Sequence, residues 1–192
     1  MKIYNFRTHF FTLLGMVLLL NACQSSAEQS ESPVEEMPSV FFDIKGYFAQ
    51  EQKRLNQAQP DVTKKVAING EIEQKQIDSL NFDRELKVFI QSDINRPDWV
   101  GKYRIDSVWQ NNKLSELHYQ ALDDKLRTRQ IDIIFNDGEV SKIFIENGGT
   151  NIVAGSEQEL TYLPGQGYTI KSRQYTALSK DKELSIEVRF RD

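Results

Sequence analysis

The stretch LSIEVRFR, residues 184–191, decides the fold class. Its apolar side chains occupy every second position, and polar or charged side chains fill the positions between them. Successive side chains of a β-strand point to opposite faces, so this alternation predicts a strand with one buried face and one face in water. The predicted buried face consists of Leu184, Ile186, Val188 and Phe190.

The same alternation recurs in earlier runs that short turn signals separate. Six residues around Asn111-Asn112-Lys113 would share one face across a three-residue loop: Tyr103, Ile105, Trp109, Leu117, Tyr119 and Ala121. Around Asp137-Gly138 the pattern predicts two apolar faces, one with Ile131, Ile133 and Phe135 and the other with Ile134, Ile143 and Ile145. Short connections of this kind predict an antiparallel meander.

Two stretches have a helical period instead. Residues 40–55 carry an apolar stripe at spacings of three, four and seven, with Ser39 as the predicted N-cap and Pro60 as the end. That stripe is Phe41, Ile44, Phe48 and Leu55. The second helix is predicted within residues 81–97 and ends at Pro97. Its stripe is Phe82, Leu86, Phe89, Ile90 and Ile94.

Between the two helices, Asn69-Gly70 predicts a peripheral hairpin. We expect a three-residue loop that pairs Ile68 with Ile72, in preference to a two-residue loop that pairs Ile68 with Glu71. The predicted fold class is therefore α+β, an antiparallel β meander of about six or seven strands packed by two helices.

The chain begins with two basic residues and a short apolar run. Lys2 and Arg7 precede residues 10–20, a run shorter than the roughly 20 apolar residues that a membrane-spanning helix needs. The run leads into Leu20-Asn21-Ala22-Cys23, which resembles the lipobox of bacterial lipoproteins. The resemblance implies that Cys23 becomes the lipidated first residue of the mature protein, with palmitate among its acyl chains.

Three segments follow from this resemblance and from composition. Residues 1–22 are the predicted signal peptide. Residues 23–38 comprise the lipidated cysteine and a tether rich in Ser, Glu and Pro, which cannot bury enough apolar surface to fold. Residues 39–192 form a single predicted α+β domain. In the lipoproteins that this segment resembles, an Asp directly after the cysteine favours the inner membrane. The resemblance therefore implies that a chain with Gln24 at this position is attached to the outer membrane of the cell envelope.

Charge and residue types exclude several function classes. The chain has a net charge of −4 and becomes more acidic when Lys2 and Arg7 are removed with the signal peptide, which argues against nucleic acid as a partner. His118 is the single histidine after residue 22, so a Cys/His metal site is excluded. Since a catalytic triad would depend on this one strand histidine, we expect no enzymatic activity and no cofactor.

Two further motifs are interpreted as turns. Asp123-Asp124 fits a turn better than a calcium site or a pair of acid–base carboxylates. Gly165-Gln166-Gly167 follows Pro164 and lacks the spacing of a phosphate loop. We also expect Asn147-Gly148-Gly149 to be a loop.

A few surface residues are candidates for contacts. Trp99 lies in a predicted loop and is a possible partner contact, whereas Trp109 is expected in the core because it belongs to an apolar strand face. Four basic residues lie on the last two predicted strands. They form a small basic patch if the strand register aligns them, and they are part of a solvated outer face if it does not. They are Lys171, Arg173, Arg189 and Arg191.

The predicted anchor, the predicted tether and the lack of catalytic motifs favour a binding or assembly module. This module would face the periplasm and dock a protein partner. The alternative is a carrier that holds a lipophilic ligand in a groove of a curved sheet. That architecture is similar to the half-barrel lipoprotein-localisation factors, although none of their motifs is present. Two helices leave part of a sheet uncovered, but we expect a closed core in preference to an open groove.

Overall fold

The structure is a computed structural model that describes residues 40–150, 154–177 and 179–191. The predictions for the signal peptide, Cys23, the tether and the Ser39 N-cap lie outside the described residues. The helices are α1 (Ile44–Ala58), α2 (Phe82–Glu85) and α3 (Lys87–Ile90), and a 3₁₀ turn spans Pro97–Trp99. The strands are β1 (Asp61–Ile68), β2 (Glu71–Ile77), β3 (Tyr103–Gln110), β4 (Lys113–Ala121), β5 (Thr128–Asn136), β6 (Glu139–Thr150), β7 (Ala154–Leu163), β8 (Gly167–Thr176) and β9 (Ser179–Arg191).

The strands join one antiparallel sheet in the order β2-β1-β9-β8-β7-β6-β5-β4-β3. Strands β3 to β9 form the predicted meander, and the β1–β2 hairpin extends it beyond β9. The α+β class and the antiparallel meander are thus confirmed. The strand count of six or seven was wrong, because the hairpin pairs with the last strand and brings the described sheet to nine strands.

The three helices pack on one face of the sheet, which we call the inner face. Phe48 of α1 stacks on Phe89 of α3 with ring centroids 4.7 Å apart, and both rings contact Tyr162 of β7 edge-on. All three side chains are fully buried. Val188 of β9 is buried on the same face, and Phe190 packs edge-on against Phe82 of α2. The apolar face predicted for residues 184–191 therefore contributes to the core.

Helix α1 begins at Ile44, four residues after the start at Val40 that a Ser39 N-cap predicts. Asp43 is the N-cap, and its carboxylate accepts a hydrogen bond from the Gly46 amide at 2.7 Å. A Cβ on residue 46 would lie 2.0 Å from Asp43 Oδ2, so glycine leaves room for the cap. The helix ends at Ala58, where Gln59 takes a left-handed conformation before Pro60.

The second predicted helix is present as two short helices that meet at Leu86. Its apolar stripe nevertheless faces the core as expected, since Phe82, Leu86, Phe89 and Ile94 are buried. Tyr168 of β8 donates a hydrogen bond of 2.5 Å to Glu85, and Glu85 pairs with Lys64 of β1 at 2.7 Å. Through these two contacts, Glu85 attaches α2 to β8 and to β1.

Both hairpins with asparagine turns have two-residue loops, so the preferred three-residue loops were wrong. Ile68 pairs with Glu71, and Asn69 and Gly70 have φ values of 49° and 89°, as a type I′ turn requires. Gln110 pairs with Lys113 across Asn111-Asn112 in the same way. A bulge at Ser115 then shifts the register, so Ile105 and Trp109 still share the inner face with Leu117 and Tyr119.

A second bulge overturns the prediction for residues 131–145. Asn136 pairs with Glu139 across Asp137-Gly138, but Ser141 is an extra residue on β6. A one-residue shift moves every following side chain to the other face of a sheet. Ile143 and Ile145 therefore pair with Ile133 and Ile131 on the buried face, and all four are fully buried. The predicted loop Asn147-Gly148-Gly149 was also wrong, because these residues continue β6.

Candidate functional site

The inner face is uncovered where β3 and β4 approach the Asn111-Asn112 turn. Trp109 is 63% exposed and Ile105 is 48% exposed, although both side chains lie on the same face as the core. Leu117 on β4 is half-buried beside them. The Trp109 indole Nε1 donates to Ser107 Oγ at 3.2 Å, which orients the ring along its strand. We call Ile105, Trp109 and Leu117 the Trp109 strip.

The strip is open because the packing residues reach only the beginning of β3. Phe41 lies edge-on between Tyr103 and Tyr119, with ring centroids 5.8 and 5.6 Å away. Trp99 also contacts Tyr103. Trp109 lies six residues farther along the strand, past these contacts. The prediction that Trp109 is buried was wrong. The alternating pattern placed Trp109 on the correct face of the sheet, but it did not show that the residues packed on this face stop short of Trp109.

The other tryptophan is more protected. Trp99 is half-buried against the core, and the Arg96 guanidinium lies 4.7 Å from its ring centroid. A cation placed over an indole face is attracted to the π-system and shields that face from water. The partner contact predicted for Trp99 stays a prediction. Of the two tryptophans, Trp109 has the more exposed ring.

The two edge strands of the sheet differ in chemistry. Strand β2 is exposed and carries Glu71, Glu73 and Lys75, charges of the kind that discourage pairing with another strand. Strand β3 instead carries the exposed Ile105, Val108 and Trp109. Its two charged residues, Arg104 and Asp106, bind each other at 2.9 Å. The β3 edge is therefore the more apolar of the two.

His118 lies on the opposite, outer face of the sheet in a group of carboxylates. Its Nδ1 is 2.9 Å from Asp132 and its Nε2 is 3.0 Å from Glu116. The hydrogen bond to Asp132, helped by Glu116, raises the pKa of His118 above its ordinary value. Because each ring nitrogen faces a carboxylate, the imidazolium form satisfies both contacts. The arrangement is that of an ion-pair cluster.

The predicted basic patch does not assemble. Lys171 and Arg173 lie toward one end of the sheet, whereas Arg189 pairs with Gly167 near the other end. Three of the cations also have acidic partners: Lys171 with Glu159, Arg173 with Asp181 and Arg189 with Glu187. The outer face thus carries alternating charges.

The two motifs interpreted as turns have that structure. Asp123 accepts a hydrogen bond from the Lys125 amide at 2.9 Å, and Leu163 accepts one from the Gln166 amide at 3.0 Å. Within the described ranges, no group of three or more His, Cys, Asp or Glu residues is placed to hold a metal ion.

One polar cluster was missed because its central residue was assigned to a loop. Asn147 is only 4% exposed and donates from Nδ2 to Ser92 Oγ at 2.8 Å and to Gln158 Oε1 at 3.2 Å. Thr128 is also buried, and its hydroxyl donates to the Ser92 carbonyl. The sequence did contain a signal for this cluster. Gln158 and Ser172 are polar residues at inward-facing positions of two neighbouring strands.

No helix within the described ranges is long and apolar enough to cross a membrane. No protein-family model matches the chain, and comparisons with curated proteins and with solved structures give no significant match.

Proposed function

We propose that this chain is a lipid-anchored, non-enzymatic binding module of the bacterial outer membrane. Its edge strand β3 docks an extended segment of a protein partner in the periplasm. The observation that carries the proposal is the exposure of Trp109, a tryptophan that is 63% exposed on a strand whose outer edge pairs with no other described strand. Exposed aromatic residues of this kind mark interaction sites more often than isolated aliphatic residues do.

The recognition mode is β-strand addition. An edge strand presents unpaired backbone N–H and C=O groups, and a partner strand gains affinity by bonding to them. Side-chain specificity then comes from the residues beside the edge. The Trp109 strip offers an apolar surface, and the Arg104–Asp106 pair leaves the middle of β3 without net charge. We therefore expect a partner segment with apolar side chains on one face and few charges.

The anchor fits this role. Lipidation at Cys23 would hold the domain at the membrane, and the proposed tether over residues 24–38 would reach roughly 20 Å on average. A domain on such a tether samples many orientations, so an exposed edge finds an extended partner without prior alignment. Confinement near one membrane also raises the effective concentration of both proteins.

A photo-cross-linking amino acid at position 109 tests the proposal in intact cells. Position 72 is a matched control, because Ile72 is also 63% exposed and lies on the opposite edge strand. We expect one discrete adduct from position 109, identified by mass spectrometry, and none from position 72. The identified protein, once purified, should bind at least tenfold more weakly to Trp109→Ala than to the wild type. Equal cross-linking at the two positions, or unchanged binding by the variant, would contradict the proposal.

The lipid-carrier alternative predicts a different result from the same variants. A lipophilic dye would bind the wild type in the absence of any protein, and Trp109→Ala would reduce that binding. Dye binding without a protein adduct would therefore favour the carrier over the docking module.

A further inference from the structure

A polar pocket of about 340 Å³ opens on the inner face at the end of the sheet opposite the Asn111-Asn112 turn. Strands β6, β7 and β8 form its base, and the connection between β4 and β5 contributes two side chains. Its lining includes Lys125, Arg127, Asn147, Gly149, Gln158 and Ser172. We call it the Asn147 pocket. None of the three residues of the Trp109 strip lines it.

The lining favours an anion. Lys125 and Arg127 are exposed, and in the part of the chain that the structure describes neither forms an ion pair. The described lining contains no acidic residue, although the chain as a whole is acidic. Serine hydroxyls and glutamine amides supply the remaining polar groups. Two cations and several neutral donors around one cavity make a site of positive potential.

The buried hydrogen bonds fix how one of these donors points. Ser92 Oγ donates to the Val88 carbonyl at 3.0 Å, so it must accept from Asn147 Nδ2. The same amide nitrogen donates to Gln158 Oε1. Because that oxygen is engaged, the Nε2 group of Gln158 remains available as a donor to the pocket.

Asn147 adds an independent sign of a binding site. Its Oδ1 is buried and has no donor among the described residues. A buried acceptor without a partner is costly, and natural proteins retain few of them outside functional sites. Here the unpaired oxygen belongs to a residue that lines a polar cavity.

We propose that the Asn147 pocket binds a phosphate group, carried either by a small soluble phosphate or by a lipid headgroup. Lys125 and Arg127 neutralise the charge, and Gln158 donates to a phosphate oxygen. Gly149 keeps the cavity open, because it lies on the inner face and has no side chain to fill the space. This inference does not depend on docking at β3.

Titration with inorganic phosphate, followed by calorimetry or by amide chemical shifts of the full chain, tests the proposal. We expect saturable binding that weakens as salt increases, since the attraction is electrostatic. Arg127→Gln should weaken binding about tenfold. Arg84→Gln is the matched control, because Arg84 is exposed on α2 and does not line the pocket. It should bind phosphate as the wild type does.

A filling variant gives a second measurement. A Cβ on residue 149 would have Ser156 Oγ as its nearest neighbour, at 3.9 Å, so Gly149→Val should fold and abolish phosphate binding. Cross-linking from position 109 should be unchanged in this variant. Wild-type chain that does not bind inorganic phosphate at about 10 mM, or variants that bind it equally well, would overturn the proposal.

Competition distinguishes the two sources of the phosphate group. Dihexanoylphosphatidylglycerol, kept below its micelle concentration, presents a lipid headgroup in soluble form. If it displaces inorganic phosphate from the wild type but does not bind Arg127→Gln, the pocket accepts a headgroup. If inorganic phosphate binds and the lipid does not compete, the pocket is selective for a small soluble phosphate. Both results support a phosphate site.

Discussion

His118 is the one histidine among the described residues, and its charge depends on the carboxylates around it. Its ring faces Asp132 and Glu116, and Asp106 is the neighbouring cross-strand residue on β3. The hydrogen bond with Asp132 raises the pKa of His118 in the folded chain, whereas the unfolded chain has the ordinary value of about 6.5. The cluster therefore stabilises the fold fully below that ordinary value. The contribution is lost as pH rises through the higher folded pKa.

We expect His118→Gln to remove this pH dependence. The difference in unfolding free energy between wild type and variant should be larger at about pH 6 than at about pH 9, by a few tenths of a kcal/mol because the ring is partly exposed. Urea unfolding at the two pH values measures it. A difference that grows toward alkaline pH would show that the sign is wrong.

Gly46 and Asp43 form a second residue-scale pair. An alanine in a helix normally stabilises by about 1 kcal/mol relative to glycine. Here the added Cβ would displace the Asp43 carboxylate from the Gly46 amide and so remove a cap worth about 1 kcal/mol. Gly46→Ala should thus be nearly neutral in the wild type but stabilising by about 1 kcal/mol when Asp43→Ala is already present. Thermal unfolding of the four proteins gives the coupling, and additive effects would exclude it.

At the scale of elements, two tyrosines make buried hydrogen bonds to acceptors of different charge. Tyr168 donates to the Glu85 carboxylate on α2, and Tyr103 donates to the neutral Thr128 carbonyl at 2.7 Å. Burial raises the pKa of both phenols well above the ordinary value, so both remain donors in alkaline solution. Tyr168→Phe should cost about 1.5–3 kcal/mol and Tyr103→Phe about 0.5–1.5 kcal/mol. Urea unfolding of both variants compares the two bonds, and equal losses would contradict the role assigned to Glu85.

The elements also show what alternation in a sequence does and does not predict. The pattern at residues 184–191 identified β9 and its buried face correctly, because the strand is regular there. The pattern predicted the wrong face for Ile143 and Ile145. Ser141 is an extra residue in β6, and it moves every later side chain of that strand to the other face of the sheet. A bulge depends on how two strands meet, and neither strand encodes it by composition alone.

The candidate sites were less predictable than the fold for a related reason. The sequence placed Trp109 on the apolar face, but its exposure depends on where Phe41 and Trp99 end their contacts with β3. The Asn147 pocket could not be predicted from the sequence, because Asn147-Gly148-Gly149 has the composition of a turn and not of a strand. Only the strand register brings Asn147 beside Gln158.

At the scale of the whole molecule, the surface features occupy separate regions of one sheet. The Trp109 strip lies at the β3 edge near one end, and the Asn147 pocket lies at the opposite end over β6 to β8. The charged β2 edge is the other boundary of the sheet. A domain held at a membrane by Cys23 could therefore engage a protein at one region while a phosphate group occupies another.

The proposed anchor sets where these surfaces act, and Cys23 tests it directly. Labelled palmitate should enter the wild-type chain and not Cys23→Ser, because the Cys23 thiol is the acceptor in the proposed lipidation. When the variant is expressed behind a signal peptide that is cleaved without lipidation, it should leave the membrane fraction and fold as before. Circular dichroism of the released protein is the control for folding. Equal membrane retention of both forms would contradict the lipoprotein assignment, while cross-linking from position 109 would still report separately on docking at β3.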